Sequence, residues 1–93
     1  MEYEWDPRKA KSNLLKHGID FADAVIALED KNALTIEDKD HHEVRFKTLA
    51  MGPYINVLYI IHAEASKHCI RIISARKANK IEIRYYFQGL DDE

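Results

Sequence analysis

The chain predicts an α+β fold: an antiparallel four-stranded sheet, with room for a short extra N-terminal strand, two N-terminal helices and one C-terminal helix. Three observations carry this. Two segments near the N-terminus each begin with an Asp cap and run at helical spacing. Between residues 33 and 75 the chain is a series of apolar or alternating runs joined by short turns, the pattern of an antiparallel meander. The stretch from Cys69 to Tyr86 then changes from a β-branched strand into a basic helix.

In order, Tyr3, Glu4 and Trp5 alternate as a short edge strand would. Asp6-Pro7 reads as a helix start, because Asp caps well and Pro at the first helical position loses no needed hydrogen bond. This helix is expected over residues 7–17, with Ala10, Leu14 and His17 or Gly18 on one side and Asn13 bordering them. Gly18 sits where a positive φ is wanted, and Lys16 and His17 suit the helix dipole. Asp20 opens a second helix, with Asp23 completing an approximate capping box and Phe21, Ala24, Val25 and Leu28 as its buried face. It ends near Glu29-Asp30.

Strands are expected over 33–37, 43–50, 55–63 and 69–75. In the second, Val44, Phe46, Thr48 and Ala50 face one way and Arg45, Lys47 and Leu49 the other. Gly52-Pro53 is a strong turn signal, and 55–63 is the most hydrophobic strand. The last helix is expected over 78–87, stopping at Gly89, with Ile81 and Tyr85 on one face. The acidic tail 91–93 should fray.

At 93 residues the chain fits one domain, 1–93. No apolar run approaches the ~20 residues that span a bilayer. The N-terminus lacks a signal-peptide core, so the expected compartment is the cytoplasm and no membrane is involved. The single cysteine, Cys69, excludes an internal disulfide and reads as core.

The formal net charge of −2 hides an uneven distribution. Residues 7–18 carry Arg8, Lys9, Lys11 and Lys16 with no acid, and residues 66–90 carry six bases against Glu82. Residues 19–43 hold eight acids and two bases. Taken alone, each basic segment reads as a solvated helix face. If the two meet in space, they form a basic face suited to a polyanion.

Arg76 stands where the buried strand gives way to the helix, a fixed and hydrated position suited to phosphate. His41-His42, near Asp38 and Asp40, read as solvated turn residues, and no metal or cofactor motif is present. His62 reads as a hydrogen-bonded sheet histidine, while His17, beside Lys16 at a helix end, is open to proton transfer. Glu82 can pair with Lys80, Arg84 or Arg76, or take part in catalysis. Of Tyr85 and Tyr86, one should pack in the core and the other stack on a base. Cutting RNA without a metal needs a base for the 2′-OH, cations for the phosphorane-like charge and an acid for the leaving oxygen. Arg76 and Arg45 supply cations, and His17 or Glu82 can exchange protons.

Two motifs carry a family resemblance that covers nearly the whole chain. The first is Trp5-Asp6, Lys9, Asn13 and Lys16-His17-Gly18, followed by Phe21 and Ala24. The second is Ile70-Arg71-Ile72-Ile73-Ser74-Ala75-Arg76, then Ala78, Glu82 and Tyr86. With Arg45-Phe46 between them, the sequence resembles the BrnT family of ribonuclease toxins from type II toxin-antitoxin modules. The resemblance implies a RelE-like fold, RNA cleavage that arrests growth, and no cofactor. It implies a BrnA-type antitoxin partner in a heterotetramer of two toxins and two antitoxins, with operator DNA bound only through the antitoxin. Position by position, it points to Arg76, Glu82, Arg45 and His17 as catalytic residues and to Lys16, Lys80, Tyr86 and Arg84 as RNA-binding ones. The family's glycine after the second long strand falls at Ala50 here, so that turn departs from the pattern. The leading expectation is a metal-independent endoribonuclease. Its rival is a non-catalytic module whose basic face docks an acidic protein or nucleic acid.

Overall fold

The computed structural model describes residues 1–39 and 42–91, without the side chains of Leu90 and Asp91. Asp40, His41 and the last two residues lie outside it, so the reading of the His41-His42 turn and the fraying of the tail stand there untouched. The elements are β1 (Glu2–Glu4), α1 (Pro7–His17), α2 (Phe21–Leu28), β2 (Leu34–Asp38), β3 (Arg45–Met51), β4 (Val57–Ser66), β5 (Cys69–Lys77) and α3 (Lys80–Asp91).

The fold is α+β, as expected, but the sheet has five strands in the order β1-β5-β4-β3-β2. β2 to β5 form the antiparallel meander. The short N-terminal strand pairs parallel with β5, Tyr3 opposite Ile70, which makes the sheet mixed. A hairpin cannot produce this pairing, because α1 through β4 intervene and bring β5 back beside the chain start.

α1 and α2 form for the anticipated reasons. Asp6 accepts from Arg8 N–H at 2.8 Å and Asp20 from Ala22 N–H at 2.9 Å. Gly18 takes φ 71° and ends α1 by donating to the Leu14 carbonyl at 2.9 Å. A side chain there would be strained in the left-handed region. α2 lays Phe21, Ala24 and Ala27 on the sheet against Ala50, Leu58, Ile60, Ile72 and Ala75, and these make the core with Ile19. Thr48 and Ala50 of β3 are buried on this core face, as the alternation required.

α1 departs from expectation. Leu14 is exposed, and the residue this helix buries is Asn13. The neighbour of α1 is not an apolar surface but the free edge of β5, whose backbone needs polar partners. Cys69 likewise lies at the start of β5, partly exposed, with its thiol donating to Glu4 at 3.3 Å. In α3 the buried residue is Tyr86, while Ile81 and Tyr85 are exposed.

β5 carries a bulge. Ile61 pairs with Ser74 and His62 with Ile72, so Ile73 has no partner on β4. The extra residue puts Ile72 and Ala75, three apart, on the same buried face. It also turns Ser74 and Arg76 together toward the opposite, open face.

Candidate RNA-binding site

Arg76 is held by a side-chain fork and by a ring. Its Nη1 and Nη2 donate to Glu82 Oε1 and Oε2 at 2.9 and 3.0 Å, and its guanidinium lies 4.1 Å from the centre of the Tyr59 ring. Fork-to-fork pairing and stacking on a ring suit arginine's planar head. Glu82 is held from a second side. Asn79 caps α3 by accepting from Glu82 N–H at 2.8 Å, and Glu82 Oε1 accepts from Asn79 N–H at 2.8 Å. This reciprocal capping box fixes the start of α3 and the angle of the Arg76 head together. Hydrogen bonds from Arg76 hold the Glu82 carboxyl below the usual carboxylate range, which makes it a weak proton acceptor near neutrality.

A cleft of about 310 Å³ opens between α1 and the outer part of β5, lined by Arg8, Lys9, Ser12, Asn13, Lys16, His17, Ile73 and Ser74. The lining contains no acid. The α1 members recur as pairs four residues apart, which is one face of a helix. The β5 members are the bulged Ile73 and its neighbour. Ser74 and Arg76 share a face of β5 and stand about 6.6 Å apart along the strand. The basic face of α1 therefore lies along the edge of the strand that carries Arg76.

Arg45 lies on β3. It pairs in register with Ala63, whereas Arg76 pairs with Tyr59, four residues away on β4. The two backbones are therefore separated by one intervening strand and four register positions, about 13 Å along the strand direction. Arg45 Nε instead donates to Glu43 at 3.1 Å, and Glu43 also receives Arg71. The Arg45 hydrogen bond, with the Arg71 contact, outweighs the opposing effect of burial and holds the Glu43 carboxyl below its ordinary range.

Tyr86 is 2% exposed, so its ring is unavailable to a base. Its hydroxyl donates to Asp30 Oδ2 at 2.5 Å, and burial together with this bond pushes its pKa up to about 12. Asp30 also accepts from Met51 N–H and Asn32 N–H, both at 2.9 Å. Burial pushes its carboxyl up, but these hydrogen bonds outweigh it and leave the pKa low. Asp30 thereby ties the end of α2 to β3 and α3. Tyr85 is the exposed member of the pair and lines an open-face groove of about 450 Å³ with Leu34, Ile36, Lys47, Thr48, Leu49 and Tyr59. Lys80 and Arg84 are exposed on α3.

His62 is buried on the core face, where Nε2 meets Thr48 Oγ1 at 2.8 Å and the ring stacks on Phe46 at 5.6 Å. It is the hydrogen-bonded sheet histidine expected. Burial lowers its pKa to about 4. Among the described residues, no three His, Cys, Asp or Glu side chains are grouped to hold a metal ion, and no helix is long and apolar enough to cross a membrane.

Tyr59 and Ser12 were not among the residues expected at the site, and Arg8 was expected only as part of a basic segment. Arg8 and Ser12 were legible as members of the 8-9, 12-13, 16-17 series on α1. Tyr59 was hidden inside an apolar strand, and only strand register sets it under Arg76.

Three helices on a five-stranded mixed sheet, with a basic cleft at one sheet edge, define a compact α+β protein. The comparisons narrow this. The family described as "Ribonuclease toxin, BrnT, of type II toxin-antitoxin system" matches residues 5–82, and the chain belongs to that family. The crystal structure of the Brucella abortus ribonuclease toxin BrnT, at 26% sequence identity, superimposes with a TM-score of 0.70 over 86% of this chain and 99% of that one. No curated protein matches the chain. Membership of a type II toxin-antitoxin family implies an antitoxin partner.

Proposed function

We propose that this chain is an endoribonuclease that cuts RNA without a metal ion, at the junction of the α1 cleft and Arg76. One observation carries the reading: Lys16 and His17 share a cleft with Ser74, which stands one side-chain step from Arg76 on the same strand face. A phosphodiester lying across Ser74 would meet a guanidinium on one side and an imidazole on the other.

The chemistry is an internal transesterification. The 2′ oxygen attacks phosphorus, its proton leaves, the bond to the 5′ oxygen breaks, and that oxygen takes up a proton. The products carry a 2′,3′-cyclic phosphate and a 5′-hydroxyl. Arg76 stabilises the charge that builds on the phosphoryl oxygens. His17 exchanges protons with the reacting oxygens, as a histidine ring in the same cleft can. Both Glu82 oxygens are already engaged, so Glu82 serves as a positioning residue that aims Arg76. Lys16, Lys80 and Arg84 contribute attraction for the strand.

We also infer a BrnA-type antitoxin that silences the toxin in a complex of two copies of each, with operator DNA contacted by the antitoxin alone. The mass of the co-purified complex by light scattering tests that stoichiometry.

The decisive assay is cleavage of end-labelled RNA in excess EDTA by the wild type, Arg76→Ala and His17→Asn. The expected result is cyclic-phosphate products from the wild type, and a loss of about 10²-fold or more in each variant with folding retained. Uncut RNA from folded wild-type protein would favour the rival reading, a binding module.

A further inference from the structure

We infer that the N-terminal half of the α1 cleft, built by Arg8, Lys9 and Ser12, is a subsite for a backbone phosphate of the same RNA strand, displaced from the bond that is cut. The inference rests on the ribonuclease reading for its ligand but concerns residues that reading does not use.

The geometry sets the direction of the strand. Arg8 and Lys16 lie eight residues apart on one face of α1, about 12 Å along its axis. A single phosphate cannot span that distance, whereas an extended single strand offers a phosphate at each nucleotide step along it. The cleft is therefore a track, with the proposed proton-exchanging His17 and Lys16 toward the C-terminal end of α1 and Arg8, Lys9 and Ser12 toward its N-terminal end.

The electrostatics favour the far end as a binding subsite. Arg76 is held bidentately by Glu82, so that pair is close to neutral and attracts a distant anion weakly. Arg8 and Lys9 are exposed, and no carboxylate lines the cleft beside them. Asp6 engages the backbone N–H of Arg8 rather than its guanidinium. Two hydrated cations on long stems with a hydroxyl at one turn's distance match the phosphate contacts that hold a strand in register without reading its bases. The division of labour is then that Arg76 and His17 act on one linkage while Arg8 and Lys9 decide how much RNA must be present for it to be held.

The test uses 2′-O-methyl RNA, which lacks the attacking hydroxyl, so that binding is read apart from cleavage. Affinities of a dinucleotide and a hexanucleotide are compared for the wild type, Arg8→Gln/Lys9→Gln, and Lys31→Gln as an exposed control away from the cleft. The wild type should bind the hexanucleotide more tightly. The double variant should lose about tenfold on the hexanucleotide, and its salt dependence should flatten by about 1.4 in log–log slope, two contacts at single-strand value. The control should match the wild type. Ser12→Glu, which puts an anion into the same wall, should weaken the hexanucleotide in the same way and serves if the double variant misfolds. An unchanged affinity and slope overturns the subsite, as does an equal loss on both lengths, which would put these cations on the central phosphate. Failure of the wild type to bind the hexanucleotide overturns it too. A hexanucleotide bound as expected by a protein that never cuts RNA would leave the subsite standing and remove the catalytic reading.

Discussion

The side-chain amide of Asn13 takes the place of a strand partner for Ala75. Its Oδ1 accepts from Ala75 N–H at 3.0 Å and its Nδ2 donates to the Ala75 carbonyl at 2.8 Å. Nδ2 also donates to the Ile19 carbonyl at 3.0 Å, so three buried backbone groups depend on one side chain. This contact closes the edge of β5 that β1 is too short to cover, and it fixes the floor of the basic cleft.

Asn13→Ala should therefore cost about 2–4 kcal/mol, read as a lower urea midpoint at unchanged slope, because it strands an N–H and two carbonyls in the interior. Asn13→Asp should do no better, since it keeps the acceptor but loses both donors and buries a charge. A shift below 0.5 kcal/mol in the Ala variant would mean that water or the neighbouring chain replaces the amide.

Glu82→Gln separates aiming from proton transfer. Gln keeps the Asn79 capping contact but presents only one acceptor to Arg76. If Glu82 aims the guanidinium, cleavage should drop about tenfold, and Arg76→Lys, which cannot make the fork, should drop it further. If Glu82 were the base, Glu82→Gln should be as inactive as His17→Asn. Cleavage rates of the three variants against one substrate decide this.

Stability should fall in acid because of His62. Its folded pKa of about 4 lies below the unfolded value of 6.5, so the unfolded chain binds the proton more readily. The stabilisation is complete above about pH 6.5 and is lost as the pH falls toward 4, on the order of 3 kcal/mol. His62→Gln should flatten the urea midpoint across this window. An identical pH profile in that variant would assign the acid sensitivity to another group.

Tyr86→Phe tests the buried role of that ring. Losing the hydroxyl leaves Asp30 short of a donor and should cost about 1–3 kcal/mol, with RNA affinity unchanged. Tyr85→Ala, by contrast, should leave stability within about 0.5 kcal/mol, as expected for an exposed position. A fall in RNA affinity of the stable Tyr86→Phe protein would contradict this account.

The helix starts at Asp6-Pro7 and Asp20, the stop at Gly18 and the alternation of Phe46, Thr48 and Ala50 were all legible, because each depends on a few neighbouring residues. The Arg76–Glu82 relationship was half legible. The six-residue spacing allows it, but the capping box at Asn79 that directs it does not show in apolar periodicity. The separation of Arg45 from Arg76 was not legible, because strand register, which depends on turns and on the bulge at Ile73, sets it. Asn13 was misjudged as a border residue because α1 faces a sheet edge rather than a sheet surface.

Local chemistry thus decided the elements, the order of basic and acidic segments and the two motifs that mark the family. Those are properties of short windows, where capping, φ preference and side-chain period act within a turn or two. The tertiary structure alone decided that the basic face of α1 lies along the edge of the strand that carries Arg76, that Tyr59 lies under Arg76, that Tyr86 rather than Tyr85 is buried, and that Arg45 pairs with Glu43. Each of those outcomes depends on which strand edge stays open and on a one-residue bulge in β5, and both are fixed only when distant parts of the chain bury their backbone groups together.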